Sequence, residues 1–298
     1  MLPSRKGSIH LFRFLGIDVY LHWLWFVVAV LRIGYGAGGL PISVWCALYL
    51  AVFAIVLMHE FGHALACRSV GGRADEIVLW PLGGVAYVDP PPRPGATLWS
   101  LAAGPLVNLL LIPILSLLWL AARSLQVEYT MPNFYEFVRT LWLINLVLLG
   151  FNLLPIYPLD GGQILRSLLW YLVGRARSLM IASTVGLIAV ALLLLFAIKS
   201  LTPWLWVLAA FALLQCWSGL RQARLLARLE AAPRRAGLAC PTCHHAPPAG
   251  LFWICGHCRR PFDMFAAQGV CPNCGVIFDG TRCLECGRVH PLQQFIQV

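Results

Sequence analysis

Residues 41–67 read PISVWCALYLAVFAIVLMHEFGHALAC, an apolar run that ends among two histidines and a glutamate. About 20 apolar residues suffice for a helix to cross the hydrocarbon core of a bilayer, and this stretch is long enough. Ionisable side chains are costly at that depth and mark functional cavities. On a helix His59 and His63 are four apart and share a face, with Glu60 beside them. Two imidazoles so placed reach one zinc ion, and the carboxylate is positioned to take a proton from water bound to it. Three fixed letters would recur by chance in roughly 4% of chains this long, so the apolar setting carries more weight than the motif itself.

The rest of the chain agrees with that setting. Of 298 residues 60% are hydrophobic and 11% charged, and mean hydropathy is +0.77, which excludes a soluble globular protein, a disordered chain and a secreted disulfide scaffold. Apolar runs at 17–33, 41–67, 98–122, 137–154, 178–198 and 203–220 predict six spans. The expected fold is a polytopic α-helical membrane protein of about six transmembrane helices with a re-entrant β-hairpin, followed by a small zinc-stabilised, β-rich module. The predicted domains are 1–220 in the membrane, a basic juxtamembrane linker at 221–238, and a cysteine-rich module at 239–298. The first run follows Arg5, Lys6 and Arg13 but lacks a small-residue cleavage site, so it reads as an anchor rather than a leader.

Net charge is +10, and its distribution is a topology signal. A cytoplasmic N-terminus would place Arg5, Lys6, Arg13, Arg68, Arg73, Arg93, Arg166, Arg175 and Arg177 inside, and Arg32, Arg123, Arg139 and Lys199 outside. Arg221, Arg224, Arg228, Arg234 and Arg235 follow the last run, where anionic lipid headgroups lie. Both termini are therefore expected in the cytoplasm of a bacterial plasma membrane.

Two stretches resist a purely helical reading. Glu76–Trp80 and Val85–Val88 are short strand-like runs joined by PLGG at 81–84, a predicted hairpin. Residues 155–162, PIYPLDGG, break the helix before them and free backbone groups that a membrane tolerates only against protein or a wet cavity. Two histidines leave a zinc site open, and Asp160 sits in that break at a depth comparable to His59. The alternative for Asp160 is a turn or helix-cap residue before Gly161 and Gly162.

HEFGHA at 59–64, AGPLVN at 103–108 and FNLLPIYPLDGG at 151–162 together resemble the site-2 protease family of intramembrane zinc metalloproteases, and PLGG at 81–84 is similar to its sporulation-factor-processing subgroup. The resemblance covers about residues 15–220. It implies zinc ligation by His59, His63 and Asp160, with Glu60 as general base and proton shuttle. It also implies a catalytic role for Asn108 in stabilising the tetrahedral intermediate; an interhelical hydrogen bond is the competing reading. Asn145 and Asn152, seven apart, read as helix packing or support for the break, and His22 as an interfacial histidine. The implied substrates are transmembrane or membrane-anchored proteins, with membrane lipids as surroundings. A peptide must unwind before attack, and the hairpin is expected to pair with it as an added strand.

Eight of the eleven cysteines form CxxC pairs after residue 239. Outside a secreted context such pairs read as metal sites; Cys46, Cys67 and Cys216 read as small buried hydrophobes. Read in chain order, Cys240, Cys243, Cys255 and Cys258 make one set and Cys271, Cys274, Cys283 and Cys286 a second, with crossed pairing as an alternative. Each set resembles a zinc ribbon, giving one catalytic and two structural Zn2+ per chain. Residues 240–298 carry four arginines and three acids, and two zinc–tetrathiolate centres would bring the module to about −3, which argues against nucleic acid and for a protein partner. The module stands where the subgroup often carries a nucleotide-sensing CBS appendage, so nucleotide regulation does not carry over. The alternative to an intramembrane endopeptidase is a non-catalytic scaffold recruiting partners through the ribbons. A zinc transporter would need more polar residues along a path than the spans offer.

Overall fold

The computed structural model describes residues 7–34, 41–80, 83–200 and 203–295. Pro81 and Leu82 of the predicted turn, and the inward charges Arg5 and Lys6, lie outside them. The chain divides into two compact units, Met1–Val173 with Ile181–Trp217, and Gly174–Met180 with Ser218–Val298.

The first unit opens with strands β1 (Ser8–Phe14) and β2 (Ile17–His22), then helix α1 (Leu24–Gly34). The expected span at 17–33 is therefore corrected. Its first third alternates, with Ile17, Val19 and Leu21 buried, a period-two pattern that a count of apolar residues cannot separate from a helix. The 11 described residues of α1 rise about 16 Å, half of a bilayer core.

Helix α2 (Ile42–Ser69) leads into β3 (Arg73–Trp80) and β4 (Gly83–Asp89). The predicted hairpin forms, but as half of a four-stranded sheet in the order β1-β2-β3-β4. β2 and β3 run parallel, with Val19 opposite Ile77 and Leu21 opposite Leu79, while β3 and β4 are antiparallel. One sheet face buries Ile17, Val19, Leu21, Ile77 and Leu79 against Ala64 and Cys67 of α2. That contact fixes β4, an edge strand, beside the histidine-bearing half of α2.

Helices α3 (Pro94–Ser124), α4 (Val127–Thr130), α5 (Pro132–Asn152), α6 (Asp160–Val173), α7 (Arg175–Ser200) and α8 (Pro203–Ala231) complete the helical part. Among the described residues four helices, α2, α3, α5 and α7, are long and apolar enough to cross a membrane; the six expected spans are thus revised, and the run at 203–220 is the first part of the 29-residue α8. Leu48 and Ile55 of α2, Leu115 of α3 and Leu141 of α5 form a buried cluster. At Gly62 the helices α2 and α3 nearly touch, since a Cβ there would lie 2.7 Å from the Ala103 carbonyl oxygen.

In the second unit two minimal hairpins, β5 (Trp253–Ile254) with β6 (Pro261–Phe262) and β7 (Gly280–Arg282) with β8 (Val289–Pro291), surround a small core of Trp253, Phe262 and Met264. Within this unit Arg234 pairs with Glu285 and Arg235 with Asp263, so these two guanidiniums face carboxylates.

Candidate active site

Helix α2 presents its charged turn at a buried position, where His59, Glu60 and His63 are each 5–6% exposed. Asp160 reaches the same point as the first residue of α6, directly after the irregular segment that ends α5. His59 Nε2 lies 3.1 Å from His63 Nε2 and 3.1 Å from Asp160 Oδ2, and His63 Nε2 lies 3.4 Å from that oxygen. Tetrahedral zinc bonds of about 2.0–2.2 Å place neighbouring ligand atoms about 3.3–3.6 Å apart, so the three atoms form one face of a zinc site.

The outward imidazole nitrogens are already committed. His59 Nδ1 donates to Asn108 Oδ1 at 2.6 Å, and His63 Nδ1 donates to the Ser100 carbonyl at 2.8 Å. Each bond leaves the Nε2 lone pair aimed inward, the tautomer that a metal needs. Asn108 is held in turn: its Nδ2 donates to Asn145 Oδ1 at 2.9 Å, while Asn145 Nδ2 donates to the Asn108 carbonyl at 3.0 Å. This chain crosses from α2 through α3 to α5 and gives Asn108 the interhelical bond that competed with a catalytic role, here ending on a ligand histidine.

Glu60 turns to the sheet, accepting the Ala86 N–H of β4 at 2.9 Å. Because that amide points away from β3, alternation sends the backbone groups of Gly84 and Val88 to the same free edge. Two glycines make the space. A Cβ at Gly84 would lie 2.2 Å from Glu60 Cγ, and one at Gly104 would lie 2.2 Å from His63 Nε2 and 2.8 Å from His59 Nε2.

Gly104 shares the AGPLVN motif with Asn108 but acts through the lack of a side chain, and Ser100 and Ala86 contribute backbone atoms that no residue type announces. Asn145, expected in helix packing, is also tied to the site through Asn108. His22 is 5% exposed on β2 and stacks on Trp80 with ring centroids 3.8 Å apart. Other acids of this unit have partners away from the site: Asp18 pairs with His10, Asp75 with Arg68 and Glu136 with Arg139.

In the second unit the cysteines gather in a nested order. Cys240, Cys243, Cys283 and Cys286 form an outer set, and Cys255, Cys258, Cys271 and Cys274 an inner one. This corrects both the chain-order grouping and the crossed alternative. Sγ–Sγ distances are 3.7 Å for Cys240–Cys286 and Cys243–Cys283, 3.6 Å for Cys255–Cys274 and 3.7 Å for Cys258–Cys271. Four thiolates about 2.3 Å from a tetrahedral zinc stand about 3.8 Å apart, so both sets fit that ion. The physical cause is packing: Trp253, Phe262 and Met264 bury together with Cys255 of the second knuckle and Cys271 of the third and bring those knuckles together, which leaves the first and fourth to close around Phe295.

A buried His–His–Asp face with an adjacent glutamate, inside a unit rich in membrane-length helices, defines an integral membrane protein with a metalloprotease-type centre. The sequence profile of Peptidase family M50 matches residues 47–129 and 124–196. A zinc metalloprotease of Methanocaldococcus jannaschii is 34% identical over 194 residues, 65% of this chain and 55% of that protein. Stage IV sporulation protein FB of Bacillus subtilis is 33% identical over 118 residues, 39% of this chain and 38% of that protein. The solved site-2 protease from Methanocaldococcus jannaschii matches with a TM-score of 0.53 and 31% identity over 72% of this chain and 95% of that one. The chain belongs to peptidase family M50, the site-2 proteases; it spans about half the length of the first of these relatives.

Proposed function

We propose that this chain is an intramembrane zinc endopeptidase that hydrolyses peptide bonds in or near transmembrane segments of membrane proteins. The observation that carries the reading is the convergence of His59, His63 and Asp160, both histidines held in the ligating tautomer, with Glu60 alongside. A zinc ion bound there supplies Lewis acidity and lowers the pKa of water. The chain's own groups then divide the work. Glu60 takes a proton from the attacking water and later delivers it to the departing amine nitrogen. Asn108 and Ser100 hold the imidazoles in orientation, which makes Asn108 a positioning residue.

Substrate placement falls to β4. Its free edge runs past Glu60, and an unwound segment added there would present its backbone to the site. Val88→Pro removes an outward N–H without touching the ladder to β3, so it should slow cleavage; wild-type rates from a normally folded variant would dispose of strand addition.

The reading extends to one zinc in the membrane and one in each cysteine set, held in ribbon-like knuckles. It takes 1–220 as the protease domain, 221–238 as its basic connection and 239–298 as a module for a protein partner. Reduced thiols in that module, and the arginines near the sheet, support cytoplasmic termini and a plasma-membrane location; the likeness to the sporulation protein supports the subgroup. Glu60→Gln tests the activity. In cells carrying it, single-pass membrane proteins should accumulate uncut, while fragments ending inside transmembrane segments appear with the wild type. Identical fragment profiles, with zinc retained in both proteins, would refute the assignment.

A further inference from the structure

The segment that delivers Asp160 is gripped from two sides. From α6, Gly161 and Gly162 lie against it so closely that Cβ atoms would stand 2.3 Å from the Leu153 oxygen and 2.4 Å from the Tyr157 nitrogen. Helix α8 brings Cys216, fully buried, whose thiol donates to the Tyr157 carbonyl at 2.9 Å. Gly186 of α7 closes the seat: a Cβ there would lie 2.6 Å from Cys216 Sγ and 3.2 and 3.3 Å from the Tyr157 nitrogen and oxygen. The Tyr157 peptide is thus seated among a thiol and two glycines, three residues before Asp160.

Metal bonds are intolerant of displacement, since working distances hold to about 0.2 Å. A methyl group at Gly186 must either turn the thiol off the Tyr157 carbonyl or push the segment by a few tenths of an ångström, the same scale as that tolerance. We propose that Gly186 and Cys216 are positioning residues for Asp160, so that α7 and α8, which contribute no ligand, set the affinity of the membrane site for zinc. The inference deepens the protease reading and rests on it.

The test uses the full chain in detergent, with zinc per monodisperse chain measured against rising chelator for wild type, Gly186→Ala, Cys216→Val and Cys216→Ser. His59→Ala identifies which release step belongs to the membrane site, and the cysteine sets serve as internal reference. Gly186→Ala and Cys216→Val should release the membrane zinc at about tenfold lower chelator, in line with other losses of groups that orient ligands. Cys216→Ser keeps an O–H donor for Tyr157 and should stay within about twofold of wild type on that scale. A role in helix packing alone would lower melting temperature without moving the release midpoint. Should Gly186→Ala fail to fold, the valine–serine pair decides. Unshifted midpoints, or a serine variant as weak as valine, overturn the proposal while wild-type cleavage leaves the protease reading standing. A wild type with no membrane zinc overturns both.

Discussion

Gly104→Ala is a one-carbon test of the metal centre. The added Cβ would stand 2.2 Å from His63 Nε2, 2.4 Å from its Cε1 and 2.8 Å from His59 Nε2, where ordinary contact begins at 3.4 Å. The imidazoles would have to retreat by about 1.2 and 0.6 Å, or the methyl would occupy the space in which their lone pairs converge. His63 cannot retreat freely, because its ring is tied to Ser100 and packed between helices. Displacing a group that merely orients a ligand costs about 10–100-fold in affinity. Moving two ligands by several tenths of an ångström should therefore cost about 100-fold or more. Overpacking adds about 1–3 kcal/mol of destabilisation. The assay is zinc per chain after dialysis against a moderate chelator, where wild type should keep three ions and Gly104→Ala the two held by cysteines. Gly150→Ala on α5 is the control, since its Cβ meets nothing within 4 Å and should leave all three in place. A Gly104→Ala protein holding three zincs as tightly as wild type would refute the placement of the site.

Further outcomes follow from the same geometry. Asn108→Ala should weaken the membrane zinc about 10–100-fold, and Asn145→Ala less, because it acts one bond further out; a chelator titration reads both. Replacing Cys240, Cys243, Cys283 and Cys286 together by serine should leave two zincs per chain by elemental analysis, whereas chain-order sets would leave only the membrane ion. Asp263 accepts N–H groups from Gly250, Phe265 and Ala266 and pairs with Arg235. Burial pushes its carboxyl up, but these donors outweigh it and hold it below the usual carboxylate range. A depressed folded-state value stabilises above the unfolded pKa of about 4 and fades as pH falls through the folded value. Asp263→Asn should therefore lower the hydrogen-exchange protection of the 247–267 segment at pH 7 by about 1–3 kcal/mol, with the deficit closing only in acid.

How far the sequence reveals this arrangement depends on whether a feature is carried by side-chain identity. His59, Glu60, His63 and Asp160 are chemically loud in an apolar run, and they converge. Asn108 was legible as a polar residue at the right place, but its partner was not, since an asparagine can serve an intermediate or a helix with equal ease. Ser100 and Ala86 act through peptide groups, and Gly104 through the absence of a side chain. The sheet was half legible: β3 and β4 carry their own turn signal, while β2 was absorbed into an apolar window because Ile17, Val19 and Leu21 raise its average as a helix would. The position of β4 beside Glu60 depends on that missed strand, for β2 pairs with β3 and seats the sheet on α2.

The cysteine sets fail for a different reason. Each CxxC forms the same knuckle: the first cysteine accepts an N–H from the residue just after the second, at His244, Arg259, Gly275 and Gly287, all with positive φ. Four local structures so alike hold no information about their partners, and the alternation of loop lengths admits either grouping. What distinguishes them is the apolar content between them. Trp253, Phe262 and Met264 lie between the first and third knuckles and share one buried cluster with Cys255 and Cys271, a thiol from each inner knuckle, so the segment holding the inner set closes around them. With that loop closed, the outer cysteines face a shorter effective chain, and closing it costs less entropy than the intervening sequence suggests. The inner set should therefore form without the outer one, while the outer set needs the inner. Nesting is then an order of assembly as well as a pairing, set by the apolar side chains packed around the inner set rather than by the thiols alone.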